Sequence, residues 1–120
     1  TQQDVSVSLP RKAAALLVAT SAATLRSDLV TFVTAMHNGV SVDWALASIE
    51  AIEQVSLSIE IGVAALADDS AVPSARETIE RARHVAAQVR AAAATAAGVT
   101  NALLVWRPAA GLSVAAGLAN

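Results

Sequence analysis

The 120-residue chain contains no cysteine and no tyrosine, one phenylalanine and two tryptophans. Without cysteine it has no disulfide framework, no thiol nucleophile and no thiolate metal site, although a missing thiol assigns no compartment. Charge is scarce too: charged types make up 15% of the chain, against roughly 25% in an ordinary soluble domain. What is abundant is apolar and small. Hydrophobic types reach 55%, but much of that is alanine, which buries little area per residue, so composition overstates the core. The length suits one hydrophobic core rather than two.

Long apolar runs are also lacking. Two uncharged stretches stand out, 13–25 and 91–106; the first is shorter than the roughly 20 residues that cross a bilayer, and Gly98, Thr100 and Asn101 interrupt the second. No transmembrane helix is therefore expected. The opening Thr1-Gln2-Gln3-Asp4 places no basic region ahead of an apolar run, so no signal peptide is read there. A soluble setting, cytoplasmic or within a larger assembly, is expected, and the residues do not choose between compartments.

Phosphate and nucleotide chemistry finds no foothold. Gly39 and Gly98 follow predicted helices instead of opening a phosphate cradle, and Gly111 and Gly117 are too sparse to form one. Serines are common, but none sits in a recognisable catalytic triad, and no cofactor is expected. The formal net charge of -2 makes nucleic acid an unexpected partner, and the arginines between Arg76 and Arg90 lack the interleaved aromatics of a base-stacking surface.

The few charges are sorted by segment. Asp28, Asp43, Glu50, Glu53, Glu60, Asp68 and Asp69 follow one another without a Lys or Arg between them, whereas Arg76, Arg81, Arg83, Arg90 and Arg107 outnumber Glu77 and Glu80. This acid-to-base change favours an antiparallel pairing of the helices on either side of the break at Asp68-Asp69-Ser70 and Pro73.

The periodicity predicts three helices. The first runs from about Pro10 to His37 with Val18, Ala22, Leu25, Leu29, Phe32 and Met36 inward, and Thr20, Thr24, Ser27, Thr31 and Thr34 form a weakly charged second stripe suited to solvation or close contact. Asn38-Gly39 ends it. Ser41 is the candidate N-cap of the second, Val42 to about Ala67, whose inward face uses Ala45, Ile49, Ile52, Ile59, Val63 and Leu66, with Ser56 in the row. Within it, 55–63 alternates like a strand, but the helical phase on both sides favours helix. Ser74 and Glu77 have capping-box spacing for the third, Ala75 to Ala97, with a narrow face of Ala75, Ile79, Ala82, Ala86, Val89, Ala93 and Ala96.

The ends are less regular. Residues 1–9 read as an N-terminal arm, extended or an edge strand. Residues 10–98 form the helical domain. Residues 99–120 read as a C-terminal packing segment in which Val99 to Trp106 is either a buried strand or a short helix capped by Asn101. The expected fold class is all-α: an elongated three-helix hairpin or bundle completed by oligomerisation, because uncharged terminal material and small-residue helix faces gain by contact with another subunit.

Chemistry-bearing groups read as structural first. His37 suits the carboxyl end of its helix; His84, four residues after Glu80, matches neither a carboxylate metal bundle nor a zinc-protease spacing. Glu50, Glu53 and Glu60 are expected in solvent or against basic residues of the third helix, and no metal site is expected. The candidate interface or pocket residues are Phe32, Met36, Trp44, Leu104, Trp106 and Leu112, because the two tryptophans and their apolar neighbours carry most of the large side-chain surface. The expected function is that of a structural or assembly subunit, with a homo-oligomer or another protein as partner. The alternative is a small-molecule-binding helical protein or enzyme subunit with an apolar pocket near Trp44 or Trp106.

Overall fold

A computed structural model describes the backbone of residues 2–66, 72–107 and 111–115, and within those ranges the side chains from Lys12 onward except Val72. Asp68, Asp69, Ser70, the Pro108 turn and the tail with Leu118 lie outside the described residues.

Three helices carry the fold: α1 (Gln2–His37), α2 (Val42–Ala64) and α3 (Val72–Thr95). Every inward position expected of the three apolar stripes is buried: Val18 to Met36 on α1, Ala45 to Val63 on α2 with Leu66 just past its end, and Ala75 to Ala93 on α3 with Ala96 just past its end. The strand-like stretch at 55–63 is helical throughout. Its phase follows from burial: Ser56 occupies a core position, where its hydroxyl donates to the Ile52 carbonyl oxygen at 2.9 Å and leaves no buried donor unmet.

The turn between α1 and α2 is set locally. Gly39 adopts φ +88, a left-handed conformation that costs glycine little, and its N–H donates to Met36 O at 3.1 Å. Ser41 then caps α2, its hydroxyl accepting from the Trp44 N–H at 3.2 Å. The short link makes α1 and α2 antiparallel, with Phe32 meeting Trp44 at one end and Val18 meeting Gly62 near the other.

The pairing of α2 with α3 follows the charge pattern. Arg83 of α3 pairs with Glu60 of α2, and Arg90 pairs with Glu53. Each step of seven residues is two helical turns, and the reversed order fixes the two helices as antiparallel. A second polar tie joins α1 to α3: Arg26 donates to the hydroxyls of Ser74 and Thr78, both at 3.2 Å. Because α3 begins at Val72 with Pro73 in its first turn, Ser74 lies inside the helix and does not serve as the N-cap expected from the Ser74–Glu77 spacing.

Two expectations fail at the ends of the chain. Residues 2–9 are helical, continuing α1, and are neither an edge strand nor an extended arm. More consequentially, the fold is not all-α. It is mostly helical but includes a three-stranded antiparallel sheet of β1 (Val40–Ser41), β2 (Leu103–Arg107) and β3 (Gly111–Ala115), in the order β1-β2-β3.

The register explains why the late apolar run becomes a strand. Leu104 lies opposite Val40 on one side and Val114 on the other, and Trp106 lies opposite Leu112. Directly opposed residues share a sheet face, so these five side chains form one apolar face that packs on the core. Asn101, at φ +60, turns the chain before β2 and does not cap a terminal helix. The alternation became legible only once β3 supplied the partner strand.

α1 also outgrows the other two helices. At 1.5 Å per residue its 36 residues span about 54 Å, whereas the 23 of α2 and 24 of α3 span about 35 Å. The molecule is correspondingly elongated, 69 × 24 × 19 Å. Among the described residues, Lys12–His37 is the one helix long and apolar enough to cross a membrane by length and composition. Its inward stripe packs against α2 and α3.

Two measurements test this architecture. Leu104 is fully buried beneath the sheet, so Leu104→Ala should cost about 2–5 kcal/mol in urea unfolding; a loss below 1 kcal/mol would detach the sheet from the core. A Cβ at Gly62 would lie 2.7 Å from Cγ2 of Val18. Gly62→Ala should therefore destabilise by about 1–3 kcal/mol despite alanine's better helix propensity. In the Val18→Ala background the same substitution should cost less, and additive effects would remove the contact from the explanation.

Candidate functional site

The six candidate residues divide into two places. Met36 and Leu104 are fully buried, while Trp106 and Leu112 pack against the core from the inner sheet face. These four close one end of the bundle and need no ligand to explain them. Phe32 and Trp44 border a space that the packing of α1 against α2 leaves open.

Phe32 is buried on α1, and Trp44 projects from the first turn of α2 with 44% of its surface exposed. Their rings stack with centroids 5.6 Å apart and planes 11° from parallel, an arrangement worth about 0.5–1.5 kcal/mol beyond area burial. The pair borders a pocket of about 250 Å³ whose lining also includes Asp28, Thr31, Ser48 and Val55. Helical spacing builds it: Asp28, Thr31 and Phe32 share one side of α1, as Trp44, Ser48 and Val55 do on α2. Asp28 is the one charged group in this lining.

A larger groove of about 860 Å³ runs between α1 and α3. Leu29, Val30, Val33 and Val85 supply its apolar surface; Glu77, Glu80, Arg81 and Arg83 supply its charged side, with His84 beside them. Glu77 and Arg81 are already paired at 3.2 Å, one helical turn apart. His84 is exposed on α3.

Glu53 and Glu60 belong to neither space. Their carboxylates are engaged by Arg90 and Arg83 in the seam between α2 and α3, one of the two placements expected of them. The hydrogen bond that Arg90 donates to the Glu53 carboxylate, and then the charge of Glu53, hold the Arg90 guanidinium above its ordinary pKa, so this side chain stays a cation. Among the described residues, no three His, Asp or Glu side chains are grouped to hold a metal ion.

No family model, curated protein or solved structure matches the chain. Function is therefore read from these surfaces alone. Sequence reasoning singled out Phe32 and Trp44 but took Asp28 only as one member of an acidic series and did not single out Ser48. The available signal was the four-residue spacing of Asp28 from Phe32 and of Trp44 from Ser48, informative only once α1 and α2 were known to adjoin there.

The two tryptophans should respond differently to solvent. In Trp106→Phe, the remaining Trp44 fluorescence should be readily quenched by acrylamide. In Trp44→Phe, the remaining Trp106 should be protected. Equal quenching constants would contradict the placement of Trp106 against the core.

Proposed function

We propose that the chain is a helical structural or assembly subunit that associates with a second copy of itself, or with another protein, along the overhanging part of α1. The observation that carries this reading is the mismatch in helix length. Val18 meets Gly62 only two residues before α2 ends at Ala64, so the first dozen residues of α1 extend past the bundle. An isolated helix of that length is marginal in water, and a partner would supply the packing that α2 and α3 do not.

The surface next to the overhang supports the same reading. Leu16 and Leu17 on α1 are 69% and 67% exposed, and Leu57 and Ile61, one turn apart on α2, are 52% and 75% exposed. Large apolar side chains gathered at one end of a molecule with little surface charge gain by association. The small-residue composition of α1 would allow a partner helix to approach closely.

A second reading is favoured by one specific observation, the partly exposed Phe32–Trp44 stack beside its pocket. On that reading the chain binds a small molecule between α1 and α2. The two readings use different surfaces and do not exclude each other.

Native mass measurements across a hundredfold concentration range test the first reading. A dimer or higher species should grow with concentration, and the pair Leu16→Lys with Leu17→Lys should shift the population to monomer. A monomer throughout the range, with no other protein retained, would reject association by this surface.

A further inference from the structure

We infer that the pocket between α1 and α2 is a binding site for a small organic cation, such as a trimethylammonium or short alkylamine group, held between Trp44 and Asp28. The inference rests on the pocket reading and is independent of association through α1.

Three features of the site combine. The first is the aromatic surface: Trp44 stacks on Phe32 yet keeps 44% of its surface open, and indole is the aromatic group that attracts cations most strongly. The second is the sign of the charge. Asp28 is the one ionisable group among the lining residues, with the neutral Thr31, Ser48 and Val55 around it, and no Lys or Arg lines the pocket to neutralise it. No ion pair within 4.0 Å engages Asp28 among the described residues. The acidic carboxylates and the arginines that answer them, Glu53 with Arg90 and Glu60 with Arg83, are paired elsewhere in the α2–α3 seam.

The third feature is size. A volume of about 250 Å³ falls below the roughly 300–1,000 Å³ of drug-sized sites, so the occupant is a headgroup-sized molecule. Its N-alkyl groups would cover Val55 and the aromatic pair, while the positive charge would be satisfied by the Asp28 carboxylate and the indole. An anion would face Asp28 with no compensating cation in the lining, and a neutral molecule would gain no charge attraction from that solvent-exposed carboxylate.

The test uses the full chain, choline as the probe and its uncharged isostere 3,3-dimethylbutan-1-ol as the control, read by the Trp44 indole N–H signal in NMR titrations. Choline should shift that signal saturably, with a dissociation constant on the order of millimolar for so small an open site. The isostere should bind at least about tenfold more weakly, and Asp28→Asn should weaken choline by about three- to tenfold. Glu80→Gln, which removes a carboxylate outside the pocket, should leave the choline titration unchanged. Equal binding of choline and the isostere would overturn the cation inference while leaving an apolar pocket in place. No saturable shift from either compound would overturn both. An unchanged choline affinity in folded Asp28→Asn would remove the carboxylate from the site and overturn the inference as stated.

Discussion

The close approach of three narrow helix faces governs this molecule. α3 presents Ala75, Ala82, Ala86 and Ala93 to the core, so its axis can come near α2 but brings little apolar area with it. Such a contact holds only if the larger side chains opposite, Ile49, Ile52 and Ile59, and those of α1 fall into register. The same economy appears where α1 crosses α2: Gly62 lets Val18 in, and a single methyl there would collide.

Register is where the scarce charge is used. The exposed ion pairs Glu53–Arg90 and Glu60–Arg83 contribute little stability, being partly open to water. Their value lies in selecting one alignment of two otherwise low-relief alanine faces, since a one-turn slip would separate both pairs at once. Arg26 acts similarly between α1 and α3 through Ser74 and Thr78. Once the three helices are aligned, their apolar end beside Met36 remains open, and the sheet of β1, β2 and β3 closes it with Leu104, Trp106, Leu112 and Val114.

That division of labour leaves two surfaces unused by folding. One is the far part of α1, together with Leu16, Leu17, Leu57 and Ile61; the other is the notch where Trp44 covers Phe32 incompletely. We propose the first as the surface for protein contact and the second as the site for a small organic cation. The second lies away from the charged seam between α2 and α3, whereas Leu57 of the first borders it.

Much of the fold was legible in the residues themselves. Helical period marked every buried stripe, Gly39 and Ser41 marked the first turn, and the change from acidic to basic segments anticipated the antiparallel α2–α3 pair, because these signals act within a few residues or through simple charge. The sequence did not disclose that residues 2–9 continue α1, since Pro10 reads as a helix start. It left Val99 to Trp106 open between strand and short helix and did not disclose the sheet, because the run Leu103 to Trp106 shows which side chains share a face only when Leu112 and Val114 lie opposite Trp106 and Leu104. Phe32 and Trp44 were candidates from the sequence, but the place of Asp28 beside them was hidden for the same reason. Spacing along one helix gives the direction of a side chain, but only the packing of α1 against α2 decides which directions converge.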